Sequence, residues 1–215
     1  MTKEDFRRII FLTVVLTVLL WVVLLACTQR APLSLAALEL LGTVITVITF
    51  FWVFFFRWGW RLPLLQLLLK RPYIGGTWIG TLDSNYISSN SSGANELEIT
   101  LIIRQSALFT HVTTFTSRMT AHSYTDVLIL DEERGVSKII YLYSEKSHVP
   151  GVGVHQGTAE LTIIGNPPKV LDGEYWTNQK TAGTLRVSQA CHEYLDSFED
   201  AKRIWPKHWS EYSRN

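Results

Sequence analysis

Two long apolar runs, separated by a short polar break, open the chain. From Ile9 to Ala26 the polar side chains are Thr13 and Thr17, whose hydroxyls can bond back onto a helix backbone. The second run, Leu33 to Phe56, carries one charge, Glu39, and is uncharged from Leu40 onward. Thr28-Gln29-Arg30-Ala31-Pro32 lies between them. A helix over the first run, at about 1.5 Å rise per residue, is about 27 Å long, close to the hydrocarbon thickness of a bilayer. Arg57, Trp58, Trp60 and Arg61 follow the second run, and Arg beside Trp suits a membrane interface. The pattern predicts a membrane hairpin. Leu24-Leu25-Ala26-Cys27, with Arg7 and Arg8 upstream, resembles a lipoprotein signal. The apolar run is longer than a signal core of about 7 to 15 residues and a second span follows at once, so the hairpin is expected to be retained.

Leu62 to Leu69 is too short to span again and is expected to form an interfacial helix or linker, ended by Lys70-Arg71-Pro72. From Gly75 the period changes. β-Branched and aromatic residues alternate with polar ones, and Gly, Asn, Pro and Ser clusters punctuate the runs. The expected strands are Thr77 to Ser84, Leu97 to Gln105, Leu108 to Thr116, Met119 to Leu130, Lys138 to Glu145, Thr158 to Ile164, Val170 to Thr177 and Thr184 to Gln189. An all-β domain of this kind closes most simply as an eight-stranded antiparallel barrel, which leaves no exposed edge; a sandwich is the alternative. Ser88 to Asn95 and Ser147 to Gly157 read as long polar loops. Tyr194, Phe198, Ala201, Ile204 and Trp205 recur at helical spacing in the tail, which is expected to be an amphipathic helix limited by Pro206; packing on the barrel is the default expectation, with lying on the membrane or joining copies of the protein as alternatives. The domain plan is therefore 1–71 hairpin and linker, 72–190 barrel, and 191–215 tail.

The formal net charge of +1 conceals an asymmetry. Residues 1–71 hold eight Lys/Arg and three Asp/Glu, a net of +5; residues 72–190 hold eight and eleven, a net of −3. Lys3, Arg7 and Arg8 precede the first span, Arg57, Arg61, Lys70 and Arg71 follow the second, and Arg30 sits in the turn. The positive-inside rule then places both termini in the cytoplasm of a multi-pass membrane protein. Cys27 and Cys191 are too far apart in this plan to form a disulfide framework, which suits a reducing compartment.

The six histidines show no metal-ligand spacing, so no metal is expected. No Gly-x-Ser-x-Gly, phosphate-cradling glycine loop or nucleophile and base pairing appears, so no catalytic residues or cofactors are expected and the chain does not read as an enzyme. Asp131-Glu132-Glu133-Arg134-Gly135 reads as a solvated hairpin turn. Binding fits better. Leu97, Ile99, Leu101 and Ile103 share one strand face, which puts Arg104 on the other; Tyr141 and Tyr143 share a face; Tyr175 and Trp176 point to opposite sides. Aromatic faces stack on nucleobases and Arg forks onto phosphate, although aromatics also simply fill barrels. An acidic domain opposes a long nucleic acid, whereas a ligand with two phosphates needs only one or two cations.

Gly76-Thr77-Trp78 with Arg186 in the last strand resembles the Gly-x-Trp and late Arg of lipocalin-like barrels, in which the Arg stacks on the Trp. A more specific resemblance covers the hairpin to about Gln189. The two spans, Gly76-Thr77-Trp78-Ile79-Gly80-Thr81-Leu82, Ile103-Arg104-Gln105, Asp172-Gly173-Glu174-Tyr175-Trp176-Thr177 and Lys180-Thr181-Ala182-Gly183-Thr184 look like the two-transmembrane β-barrel effectors of CBASS antiphage operons. That resemblance implies a bacterial inner-membrane protein whose cytosolic barrel binds a cyclic dinucleotide. Binding would promote self-association, so that the clustered spans breach the bilayer and the cell dies. Side-chain chemistry plus position in the matching segments nominates Arg104, Tyr143, His155, Tyr175 and Trp176 as ligand contacts. The competing expectation is a membrane-tethered barrel that carries a fatty acid or other apolar ligand.

Overall fold

A computed structural model describes residues 3–29, 34–62, 71–85, 95–117, 119–131, 134–147 and 155–204. The chain divides into two compact units, 1–71 with 106–108, and 72–105 with 109–215. In the first, α1 (Lys3–Thr28) and α2 (Leu35–Arg57) are both long and apolar enough to cross a membrane. Ser34 caps α2, its hydroxyl accepting the Ala37 amide at 3.2 Å. The helices meet along a stripe of α2 on which Ala37, Val44 and Phe55 are buried, while large apolar side chains such as Phe11 and Phe50 face outward. Thr13 and Thr17 donate to the Ile9 and Thr13 carbonyls at 2.7 Å each. Their hydroxyls are thus satisfied inside the helix, as an apolar solvent demands.

The second unit is a closed barrel of eight antiparallel strands in sequence order. These are β1 (Gly76–Ser84), β2 (Asn95–Gln105), β3 (Thr110–Thr116), β4 (Met119–Asp131), β5 (Val136–Ser147), β6 (His155–Ile164), β7 (Val170–Thr177) and β8 (Ala182–Cys191). Each expected strand is present, and most run one to three residues further than the alternation alone reaches, because ladder bonds continue past the apolar residues. β3 starts two residues later than expected, after a turn over 106–109. β6 starts at His155, three residues earlier than expected, so 155–157 belong to a strand and not to the second polar loop; 148–154 lie outside the described residues. The reading of Leu62 to Leu69, from residue 63, the loop core 88–94 and the end of the tail also lie outside them.

Closure pairs β1 with β8 through a bulge at Thr77/Trp78. Gly76, at φ 134°, makes this possible, since a Cβ there would lie 2.5 Å from the Cys191 carbonyl oxygen. The alternation inside the barrel then sorts every residue. Trp78, Leu101, Ile139, Leu161, Leu171 and Leu185 point inward and are essentially inaccessible. One end is sealed. The Trp78 indole donates to the Ile74 carbonyl at 2.9 Å, and Gln105 accepts the Ile74 amide at 2.7 Å while donating to the Pro72 carbonyl at 3.1 Å. These bonds hold the strand that enters β1 against the barrel floor.

Arg186 departs from the lipocalin expectation. Its position places it on the outer wall, across β1 from Thr81, where it pairs with Asp172 at 3.4 Å, whereas Trp78 points into the core. Odd and even positions of paired strands face opposite ways, so the two cannot stack. Of the expected Asp131 to Gly135 turn, 132–133 lie outside the described residues; on either side Asp131 accepts the Arg134 amide at 3.0 Å and Gly135 takes φ 65°, as a hairpin turn requires. The tail differs in part. It runs extended from β8 and becomes helical only over 198–204, capped by Ser197, whose hydroxyl accepts the Asp200 amide at 3.1 Å. Ala201 packs on Ile79 of the outer wall with Leu195 and Ile204 alongside, and Thr77 donates to the Glu193 carbonyl at 2.6 Å.

The seal makes two substitutions informative. Gln105→Leu strands the Ile74 amide and is expected to cost about 1 to 3 kcal/mol. Trp78→Ala is expected to cost about 3 to 5 kcal/mol, since it empties the largest fully buried side chain. Chemical denaturation of the full chain in detergent, followed by the β-sheet circular dichroism signal, reads both; an unchanged midpoint in Gln105→Leu would refute its structural role.

Candidate functional site

The polar inner wall lies at the end opposite the Trp78 seal, where β1, β3, β5 and β7 finish and β2, β4, β6 and β8 begin. Here the inward parity carries Ser84, Thr116, Tyr143, Glu145, His155 and Tyr175 in place of aliphatic residues. Deeper in, Ile139, Tyr141 and Leu161 are at most 2 % exposed, but Tyr143, Glu145 and His155 remain partly accessible even though they point inward. Solvent therefore reaches the inner wall from this end, which forms the barrel's mouth.

The register fixes who meets whom. Glu145 lies opposite His155 on one rung, Tyr143 opposite Gly157 on the next inward, and Tyr141 opposite Ala159, which in turn lies opposite Tyr175. Two glycines make room for the rings. A Cβ at Gly157 would fall 2.5 Å from the Tyr143 ring and hydroxyl, and one at Gly183 would fall 3.0 Å from Tyr175. Tyr143 and Tyr175 thus lie over bare backbone. The Tyr141 and Tyr143 rings sit 5.9 Å apart at 45°. Tyr141 is hydrogen-bonded to Thr114 and Tyr175 to Ser84.

Burial sets the protonation states. It pushes the Tyr141 hydroxyl far above its ordinary value, and does the same to Tyr143, where neighbouring Tyr141, Glu145 and Tyr175 reinforce it. The Tyr175 hydroxyl is also raised by burial, with Ser84 opposing. All three phenols are therefore hydrogen-bond donors near neutral pH. Burial likewise raises the Glu145 carboxyl above 4.5, and His155 partly counters it.

Of the five nominated contacts, the fold brings Tyr143, His155 and Tyr175 together on the inner wall of the mouth. Arg104 and Trp176 stand on the outer wall. Arg104 pairs with Asp196 at 3.3 Å and lies 5.0 Å over the Tyr194 ring, clasping the tail, and Trp176 is 46 % exposed. Among the described residues, the inward strand positions hold no Lys or Arg, and the imidazole of His155 lies among them. The sequence reading passed over Glu145 and Ser84. Glu145 was discoverable by parity, since it continues the Tyr141, Tyr143 face two residues on.

A raised folded-state pKa at Glu145 carries a signed consequence for stability. The folded state holds its proton more tightly than the unfolded chain, so the stability linked to Glu145 is full below pH 4.5 and falls as pH rises toward the folded value. Glu145→Gln, in ligand-free protein, is expected to melt higher than the parent at pH 7.5, and the gain should vanish near pH 4.5. Melting curves across that range check it; a gain that grows on acidification would refute the assignment.

The family model of the Cap15 cyclic dinucleotide receptor domain matches residues 69–189, more than half of the chain and all eight strands except the end of β8. CD-NTase-associated protein 15 of Staphylococcus schleiferi is 23% identical over 171 residues, covering 79% of this chain and 88% of that protein. The chain belongs to the Cap15 cyclic dinucleotide receptor family, the CBASS effectors whose two apolar helices and barrel its sequence resembles.

Proposed function

We propose that the mouth of the barrel binds a cyclic dinucleotide and that binding drives the hairpins of several copies together, disrupting the inner membrane in which they sit with both termini cytoplasmic. The carrying observation is the family match over the barrel, 69–189. The mouth supports it chemically. Tyr143, which stays partly accessible, offers a ring face for a base and a hydroxyl donor for phosphate or ribose oxygens, and His155 adds an imidazole on the same wall. A wall of phenols, a carboxylate and an imidazole is a poor lining for a fatty acid, which needs a dry apolar surface.

The coupling to the membrane rests on linkage. A ligand shifts a population toward an assembled form only by the difference in its affinity for the two forms. Copies confined to a bilayer start out concentrated and aligned, so a modest difference suffices. The positive balance of 1–71 holds the hairpin in one orientation, which keeps every barrel on the same side.

A panel of cyclic dinucleotides and fatty acids tested by thermal shift on the full chain in detergent decides the ligand class. At a hundredfold excess over Kd a ligand stabilises by about 2.7 kcal/mol, so a cyclic dinucleotide is expected to raise the melting temperature by several degrees. Tyr143→Ala is expected to weaken that binding about tenfold or more, the scale of one lost base stack. Dye-loaded liposomes carrying the protein should leak only when the stabilising nucleotide is added. Stabilisation by fatty acids alone would overturn the reading.

A further inference from the structure

Glu145 is a carboxylate placed on the inner wall of the mouth, yet its partners do not explain it. The groups on the inner wall around it are Tyr143 on its own strand, His155 opposite on β6, Ala121 opposite on β4, and Tyr175 on β7. His155 acts on it through charge, and none of the side-chain hydrogen bonds or ion pairs among the described residues takes its oxygens. A partly buried carboxylate with open acceptors costs stability in the ligand-free protein, and such a group fits a ligand that brings N–H donors.

We infer that Glu145 is the specificity-determining residue of the mouth, accepting two hydrogen bonds from the Watson–Crick edge of a guanine base in the bound cyclic dinucleotide. This rests on the sensor reading above and goes beyond it to the base. The parts of a cyclic dinucleotide differ in what they can offer a carboxylate. Its phosphates carry acceptors and negative charge, so they are excluded from Glu145 by repulsion. Adenine and cytosine offer one exocyclic amine each, and uracil one ring N–H. Guanine alone presents a ring N–H and an exocyclic amine side by side, at a spacing that matches both oxygens of a carboxylate, the same complementarity by which a forked donor meets a carboxylate.

The position of Glu145 agrees with that pairing. Tyr143, two residues further in on the same face, sets a ring against bare backbone at Gly157, beside the space in front of the carboxylate. A base stacked along that ring can turn its edge to Glu145, and repulsion from the carboxylate then keeps the phosphates off this rung.

The full chain in detergent, titrated with cyclic di-GMP, cyclic GMP–AMP and cyclic di-AMP, tests this directly. The guanine-containing ligands are expected to bind about 10- to 100-fold more tightly than cyclic di-AMP, the range a bidentate contact discriminates. In Glu145→Gln, and in Glu145→Ala should the first variant fold poorly, that ratio should collapse toward one. A melting temperature at or above the parent's at pH 7.5 verifies that the Gln variant is folded. A parent that favours cyclic di-AMP, or a ratio that survives both substitutions, overturns the assignment of Glu145 while leaving the sensor reading intact. Failure of all three ligands and of the wider cyclic dinucleotide panel sinks the sensor reading and this assignment with it.

Discussion

Closure of the sheet is the constraint from which the rest of the soluble unit follows. Once β8 has paired with β1 through the bulge at Thr77/Trp78, no strand has a free edge and no residue can change sides without breaking two ladders at once. The inside of the barrel becomes a fixed list of alternate residues. That list is aliphatic at one end and polar at the other, so a single register both builds the core and aims Tyr143, Glu145, His155 and Tyr175 at a common space. A slip of one residue in β5 would turn Tyr141, Tyr143 and Glu145 outward and bring Leu142 in. Site and stability therefore share one determinant.

The two ends are treated differently for a physical reason. At the sealed end Gln105 spans the backbone of 72–74, and the Trp78 indole finds the Ile74 carbonyl. At the mouth the phenols of Tyr141 and Tyr175 are matched by Thr114 and Ser84, whereas among the described residues the Glu145 carboxylate has the charge of His155 across the rung and no side-chain hydrogen bond. Such a group is tolerated because the rest of the interior holds the wall in place, and it is the kind of local mismatch that marks a place meant for something else.

Much of this architecture was legible in the amino acids. Uninterrupted apolar length set the hairpin, because nothing shorter crosses a bilayer, and period-two alternation set the strands. The resemblance in Gly76 to Leu82 and Asp172 to Thr184 led to the family. Which side chains share the site was less legible, because convergence depends on inter-strand register and closure, and these leave no mark on local pattern. Parity within one strand put Arg104 opposite Leu101 and Ile103, but could not say that the Leu101 face was the interior. Glu145 ended the expected strand Lys138 to Glu145, on the face of Tyr141 and Tyr143, but that strand alone could not say that this face was the interior. Arg186 misled because a motif position was transferred without its parity: it lies across from Thr81, while Trp78 occupies the other face.

The inward charge pattern bears on what kind of sensor such a barrel can be. A pocket lined with Arg would attract any small polyanion, including mononucleotides that carry as much charge as a cyclic dinucleotide or more. Excluding Lys and Arg from the described inward positions and placing a carboxylate there sets a repulsive term against every phosphate. A ligand overcomes it only by supplying base contacts that keep its phosphates away from Glu145, so selectivity comes from rejecting the wrong ligand as well as from holding the right one. For the membrane-disrupting effector proposed above, a false trigger is the more damaging error. An acidic mouth guards against that error, even though it lowers the affinity for the true signal.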